Sequence, residues 1–295
     1  MKARPALLGV ERAAADAALV AAARALLDGV PPLLAEPVRY ALAGDGKRLR
    51  PILCAMSYRA LGGTSDAIHQ VGAAIEIIHT YSLVHDDLPC MDDDDLRRGR
   101  PTAHRAFDAR RATVAGAFMI PLAVRQLLHA ADALALPPPT RSAMVHELTH
   151  AAGAAGMVGG QWLDLAGAER LDALTETHRR KTGALMAASM ALGALAAGAA
   201  PHVLRAFRSA GEQLGLAFQI HDDVLDETAT AEVLGKTAGK DRASAKATYT
   251  LLLGVDEARD RAADAAAGAR RALTDAGVAD PALFELLAFA VERDR

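Results

Sequence analysis

Apolar residues recur every three to four positions along most of the chain, which is the spacing of amphipathic helices, and no segment shows the alternation of a β-strand. Proline and glycine clusters interrupt this pattern, but none of the breaks is long enough for an interdomain linker. We therefore expect residues 1–295 to form a single all-α domain, a thick helical bundle. The predicted helices span residues 8–28, 32–43, 50–61, 65–87, 104–132, 140–156, 172–199, 202–227, 245–274 and 281–293.

Composition narrows the class of protein. Hydrophobic residues make up 52% of the chain and aromatic residues only 4%, so the core must be built from Ala, Leu, Val and Met. A net charge of −3 gives no sign of a nucleic-acid partner. Two cysteines, Cys54 and Cys90, do not make a disulfide framework, which together with the lack of a secretory signal predicts a cytoplasmic location. The Ala-rich run over residues 183–200 predicts a packed internal helix rather than a membrane span.

Two acidic clusters depart from ordinary helix chemistry. Asp86 and Asp87 lie at the end of a predicted helix, where the helix dipole disfavours negative charge. Asp222 and Asp226 are four residues apart on one helix face, where like charges repel. Such carboxylates need a cation, and oxygen ligands without a cysteine or histidine pattern favour magnesium over zinc. For the run 93–95 alone, a solvated acidic cap is the better interpretation, and the spacing of a calcium loop is absent.

Basic residues accompany both acidic clusters. They occur in the turn Gly46–Pro51, in Arg97 and Arg98 after the first cluster, in the segment His178–Gly183, and in the segment Gly235–Asp241 after the second cluster. Lysine and arginine beside glycine-rich turns suit phosphate binding, although each segment alone is weak evidence. The chain has neither a Walker-type loop nor a dinucleotide fingerprint. The pattern therefore favours diphosphates that are bridged by magnesium and held by cations.

The order of these motifs resembles the polyprenyl synthase family. The matching segments extend over about residues 40 to 250: Gly46–Pro51, His79, Asp86–Asp92, Leu96–Gly99, Gly159–Gln161, Lys181–Gly183, Phe218–Asp226 and Gly235–Lys236. The resemblance implies antiparallel helices around a deep central cavity and a homodimer. It also implies magnesium-dependent, head-to-tail condensation of isopentenyl diphosphate with dimethylallyl or geranyl diphosphate to give farnesyl diphosphate.

The resemblance also assigns roles to individual residues. Three magnesium ions are expected on Asp86, Asp92 and Asp222, supported by Asp87 and Asp226. The allylic diphosphate is expected on Arg97, Lys181 and Lys236, and Thr182, Gln219 and the Lys181 carbonyl are expected to face the carbocation. Isopentenyl diphosphate is expected on Lys47, Arg50, His79 and Arg98, with Lys240 and Lys246 as weaker candidates. As an alternative, His79 is a core histidine with no ligand.

The length of the product is expected to depend on Tyr81 and Ser82, which lie five and four residues before Asp86 on the same helix. Five residues correspond to roughly 7.5 Å along the helix axis. By resemblance, a bulky side chain at the Tyr81 position closes the hydrocarbon pocket at fifteen carbons. As an alternative, Tyr81 is only a packed core residue and another part of the pocket sets the length; geranylgeranyl diphosphate is the second candidate product.

One departure from the family pattern and two other classes of protein need mention. The segment Gly116–Met119 lacks the aspartate that the family usually has after the glycine, and Phe118 and Met119 are expected to narrow the cavity. A non-catalytic partner subunit generally loses one aspartate motif, whereas this chain keeps both. A class I terpene cyclase typically replaces the second aspartate motif and lacks the Gly46–Pro51 turn. Condensation is therefore the favoured activity.

Overall fold

A computed structural model describes residues 6–228 and 247–291. The predicted all-α fold is confirmed. The helices are α1 (Ala6–Leu26), α2 (Pro32–Leu42), α3 (Leu49–Ala60), α4 (Ile68–Asp86), α5 (Ala103–Ala106), α6 (Ala109–Ala133), α7 (Pro138–Ala152), α8 (Met157–Ala166), α9 (Leu171–His178), α10 (Ala184–Ala196), α11 (Pro201–Thr228), α12 (Tyr249–Leu253), α13 (Val255–Asp275) and α14 (Pro281–Val291). Strands β1 (Leu96–Arg97) and β2 (Arg100–Pro101) form a short antiparallel hairpin.

Helices α4 and α10 form the centre of the bundle. Most of α4 and nearly all of α10 are buried, because both are apolar around their whole circumference. Helix α4 packs against α1, α3 and α6, while α10 packs against α3, α7 and α11. The run over residues 183–200 is therefore an internal helix, as predicted. Its small residues allow close approach: a Cβ on Gly193 would lie 2.2 Å from the Cys54 carbonyl oxygen.

The structure differs from the predicted elements in five places. The predicted helix 104–132 is divided into α5 and α6, which are separated by Phe107 and Asp108. Helix α8 was not predicted, and it begins two residues before the pair Gly159-Gly160. The predicted helix 172–199 is continuous but contains one π-helical turn, Arg179–Gly183, between α9 and α10. The predicted helix 245–274 is divided at Gly254, whose φ of +83° an α-helix does not accommodate. The hairpin of β1 and β2 was missed because strands of two residues carry no alternation.

Among the described residues, α6 is the one helix long and apolar enough to cross a membrane by length and composition, and half of its apolar window is buried in the fold. Its buried face packs on α4. Both cysteines are free, Cys54 in the core and Cys90 on the surface. The single domain stays a prediction.

Candidate active site

A cavity of about 280 Å³ opens between the C-terminal half of α4, helix α8 and the π-helical turn. Seven of its lining residues were predicted as site residues: Arg50, His79, Tyr81, Ser82, Asp86, Lys181 and Thr182. The remaining walls are mainly apolar, from Leu83, Met91, Met157, Val158, Trp162 and Leu165, with His85 and Gln161. The cavity thus combines charged groups with an apolar surface large enough to hold a hydrocarbon.

The carboxylates of the first acidic cluster gather where α4 ends. The chain turns back there, because the Asp92 backbone N–H donates to the Asp86 carbonyl at 2.9 Å. Burial raises the pKa of Asp86 from 3.8 to about 6; Lys181 opposes this rise and the nearby charge of Asp92 adds to it. Burial also raises the pKa of Asp87, although Arg97 opposes that rise. The folded chain therefore holds negative charge at this point at a cost in free energy.

The hairpin places two adjacent arginines on different partners. Arg98 and Gly99 both have positive φ, 54° and 76°, which makes the two-residue turn that twisted hairpins favour. The Arg97 guanidinium donates to the Asp87 carboxylate through Nε at 3.0 Å and also through Nη2. Arg98 donates instead to the carbonyl of Asp45, the residue directly before the basic turn. The hairpin therefore connects the acidic cluster with the turn that precedes α3.

The π-helical turn presents Lys181 and Thr182 to the cavity. Lys181 Nζ forms an ion pair with Asp164 Oδ2 of α8 at 2.8 Å. The Thr182 hydroxyl donates to Gln219 Oε1 of α11 at 3.2 Å. Helix α8 lies directly on this turn, since a Cβ on Gly160 would lie 2.1 Å from the Lys181 backbone nitrogen. An extra residue in a helical turn is often found at functional sites, because it redirects the side chains that follow.

The second acidic cluster lies on α11. Asp222 follows Gln219 by three residues and so lies near it on the same helix face, the face that meets Thr182; neither residue lines the cavity itself. Asp223 has a different role: it is buried, and its carboxylate accepts the Tyr249 N–H at 2.8 Å. Asp226 is exposed. Lys236, Lys240 and Lys246 lie outside the described residues.

The side chains of the basic turn point to two different places, the cavity and a separate surface depression. Arg50 Nη1 lies 3.4 Å from His79 Nε2, and both line the cavity. Burial, reinforced by Arg50 and Arg98, holds the pKa of His79 well below its ordinary value, so this histidine is neutral at physiological pH. Lys47 is exposed and lines a separate depression between α3 and α14, with Leu8 and Phe289 among its walls. The structure therefore does not bring Lys47 into the cavity.

The proposed floor of the cavity lies on α4. The Tyr81 side chain is buried, lines the cavity and contacts the His85 ring edge to face, with centroids 5.3 Å apart. Ser82 also lines the cavity, and its hydroxyl donates to the His79 carbonyl. The expectation that Phe118 and Met119 narrow the cavity is wrong: neither lines it, because both pack into the core around α4.

Four residues of interest were not singled out from the sequence. Asp164 is the ion-pair partner of Lys181, and Trp162 is an exposed apolar wall of the cavity. Gln161 lines the cavity, and neither polar atom of its amide has a partner in the described part of the chain. Arg48 is buried between Lys47 and Arg50. Gln161 and Arg48 carried a signal, since both lie in segments of the family resemblance, whereas Trp162 and Asp164 carried none.

The donor set fits magnesium. Within residues 6–228 and 247–291, no three His, Cys, Asp or Glu side chains converge into a metal site by themselves. Magnesium commonly uses one or two carboxylates together with waters and substrate phosphates, so separated carboxylates are compatible with it. The raised pKa of Asp86, which burial and Asp92 favour, is the expected mark of a carboxylate that gains from a nearby cation.

The comparison with known families decides the assignment. The family described as polyprenyl synthetase matches residues 31–279. This chain belongs to the polyprenyl synthetase family. Farnesyl diphosphate synthase of Geobacillus stearothermophilus is 41% identical over 267 residues, which are 90% of this chain and 90% of that protein. Geranylgeranyl pyrophosphate synthase 12 of Arabidopsis thaliana is 41% identical over 249 residues, 80% of this chain and 68% of that protein.

Comparison with a solved structure gives the same result for the fold. A geranyltransferase from Helicobacter pylori, solved in complex with magnesium and isoprenyl diphosphate, is 29% identical with a TM-score of 0.79. The alignment covers 99% of this chain and 98% of that one. The predicted family, the all-α fold and the prenyltransferase class are thereby confirmed.

Proposed function

We propose that this chain condenses isopentenyl diphosphate head to tail with dimethylallyl or geranyl diphosphate, with magnesium, and releases farnesyl diphosphate. The observation that carries the proposal is the composition of one cavity. Asp86, Lys181 and Arg50 supply its charged groups, whereas Tyr81 and Met157 belong to its apolar wall. A diphosphate with a hydrocarbon tail matches both surfaces.

Magnesium belongs to this proposal, with Asp86, Asp92 and Asp222 as its ligands and Asp87 and Asp226 as supporting residues. Three ions are expected. When bound, magnesium supplies a Lewis acid that neutralises the charge developing on the departing diphosphate. The support for this assignment is the half-buried Asp86 with its raised pKa, together with the position of Asp222 beside Gln219.

The side chains around the reacting carbon have separate tasks. Lys181 and Arg97 favour binding of the allylic diphosphate by charge, with Lys236 as a further candidate. Thr182 and Gln219 are hydrogen-bonded to each other, which fixes the oxygen lone pairs that face the allylic carbon. Leu83 and the buried Met157 limit the access of water to the carbocation. The released diphosphate accepts the final proton, so no side-chain base is required.

Isopentenyl diphosphate belongs on the other side of the cavity, with Arg50, His79 and Arg98. Neutral His79 can donate one ring N–H to a phosphate oxygen without requiring a change of charge. Lys47 completes this group if its flexible stem turns from the depression at α14 toward the cavity. Lys240 and Lys246 remain weaker candidates.

Farnesyl diphosphate is preferred over geranylgeranyl diphosphate because Tyr81, a bulky buried side chain, lines the cavity. Geranylgeranyl diphosphate stays the second candidate, since the relative from Arabidopsis thaliana is as similar as the farnesyl relative. A non-catalytic subunit and a terpene cyclase have less support, because both aspartate motifs and the basic turn are present.

A homodimer and a cytoplasmic location complete the proposal. The dimer has physical support from α6, where Val114, Ile120 and Leu128 are 50%, 37% and 41% exposed despite being apolar. Sedimentation of the purified chain tests it: a species of twice the 30.8 kDa chain mass is expected, and a monomer at micromolar concentration contradicts it.

The activity is tested with radiolabelled isopentenyl diphosphate and an allylic starter. We expect product only when magnesium and isopentenyl diphosphate are both present, whereas a cyclase consumes the allylic diphosphate alone. Asp86→Ala and Asp222→Ala should abolish most turnover and leave the protein folded by circular dichroism. The matched control is Asp256→Ala, an exposed carboxylate on α13, which should turn over like the wild type. Wild-type turnover by Asp222→Ala would refute the metal assignment.

A further inference from the structure

Arg48 lies between two predicted isopentenyl diphosphate ligands, yet it points into the protein. Its side chain is 8% exposed. Nε donates to Asp16 of α1 at 2.7 Å, Nη1 donates to Glu76 of α4 at 2.7 Å, and Nη2 donates to the Gly44 carbonyl at 2.7 Å. One guanidinium therefore joins α1, α4 and the start of the basic turn.

The same residue sets the direction of the chain at the start of α3. Arg48 is the N-cap of α3 with φ 52° and ψ 30°, and no side chain caps this helix end. A residue with a Cβ adopts this left-handed conformation only when its surroundings impose it. The three hydrogen bonds of the guanidinium provide that constraint. They consequently fix the direction in which Lys47 and Arg50 leave the backbone.

Two further contacts bring the predicted ligands together around this turn. A Cβ on Gly46 would lie 2.7 Å from Arg98 Nη1 and 2.9 Å from Arg48 Nη1, so both guanidinium groups pass directly over this glycine. Arg98 itself donates to the Asp45 carbonyl. On α4, Glu76 precedes His79 by three residues, so the contacts Arg48–Glu76 and Arg50–His79 join α3 to α4 within one helical turn.

We propose that Arg48, with Glu76 and Asp16 as its counter-ions, is the positioning residue of the isopentenyl diphosphate subsite. It does not touch the substrate; it holds Arg50 and Arg98 in the arrangement that binds the diphosphate. This inference rests on the proposed function, because it assigns a residue to the subsite of that reaction.

Geometry, rather than charge, distinguishes this role. A planar guanidinium serves three acceptors in fixed directions, whereas a lysine ammonium on a flexible stem keeps the charge without that geometry. Arg48→Lys is therefore the informative variant. Arg59 provides the matched control, since it lies on the same helix and donates to two carboxylates, Glu11 and Asp66, at the opposite end.

The experiment is steady-state kinetics of both variants with each substrate varied separately. For Arg48→Lys we expect the KM for isopentenyl diphosphate to rise about tenfold or more, with the KM for geranyl diphosphate within about twofold of the wild type. Arg59→Lys should leave both values unchanged, even if it lowers the melting temperature. If Arg48 had a purely structural role, Arg48→Lys would change the KM values for the two substrates to a similar extent.

Asp16→Asn keeps the inference testable if Arg48→Lys does not fold. Asp16 is partly exposed, so removing its charge should destabilise the fold less than Arg48→Lys does. We expect a smaller rise of the KM for isopentenyl diphosphate in this variant. Equal changes in both KM values, or an unchanged KM for isopentenyl diphosphate, would overturn the positioning role. An inactive wild type would instead count against the proposed function, which separates the two failures.

Discussion

Replacing Asp86 with asparagine should stabilise the metal-free protein while it destroys the activity. Burial raises the pKa of this carboxyl from 3.8 to about 6, so the folded protein favours its neutral form. Above pH 6 the carboxylate is ionised in both the folded and unfolded states, and unfolding releases it from an unfavourable environment. Asparagine has nearly the same shape and carries no charge, so it removes this penalty.

The size of the effect follows from the pKa. A rise from 3.8 to about 6 corresponds to about 3 kcal/mol at pH 7.5. Water reaches this partly exposed group, so the expected gain is ~1–2 kcal/mol. For a chain of 295 residues that gain raises the melting temperature by about 1.5–3 °C. The advantage of Asp86→Asn should be nearly complete above pH 6, shrink as the pH falls from 6 to 3.8, and disappear below pH 3.8, where the wild-type carboxyl is protonated in both states.

Differential scanning calorimetry in EDTA at pH 7.5 and pH 4.5 measures this difference. The control is Asp95→Asn, an exposed carboxylate of the same cluster that pairs with exposed Arg105, and its melting temperature should match the wild type. Magnesium with inorganic pyrophosphate should stabilise the wild type and leave Asp86→Asn unchanged. A melting temperature of Asp86→Asn at or below that of the wild type at pH 7.5 would refute the reasoning.

Three other substitutions test separate parts of the site. Tyr81→Ala should lengthen the product beyond fifteen carbons in reversed-phase chromatography, and an unchanged product would mean that another residue closes the cavity. Gly160→Ala should lower the free energy of unfolding by ~1–3 kcal/mol and remove most of the turnover, because the added Cβ meets the Lys181 backbone. Gly9→Ala is the control, since there is open space around Gly9. Equal thermal stability of the two variants would contradict the close packing at Gly160. Asp164→Asn releases Lys181 from its ion pair and should raise the KM for the allylic diphosphate several-fold, whereas a change confined to the KM for isopentenyl diphosphate would contradict the assignment.

Long helices were predictable from the sequence because their periodicity extends over many turns. The end of α4 before Pro89 and the start of α11 at Pro201 follow directly from the residues. Helix α8 escaped prediction, since a glycine pair normally signals a break, and here it allows close contact with the Lys181 backbone. The hairpin is too short for any periodic signal.

The contacts within the site were not predictable in the same way. Asp164 and Lys181 lie on different helices, and their pairing depends on how α8 packs against the π-helical turn. A π-helical turn itself has no sequence signature that periodicity detects. The basic turn was identified as a unit, but the inward direction of Arg48 depends on Glu76, a carboxylate on another helix.

Identification of the product tests the central claim most directly. The purified 295-residue chain is incubated with magnesium, dimethylallyl diphosphate and isopentenyl diphosphate, and the dephosphorylated products are separated by chain length. Farnesol is expected as the main product, with none formed when isopentenyl diphosphate or magnesium is omitted. The absence of any elongated product from dimethylallyl or geranyl diphosphate would contradict the account.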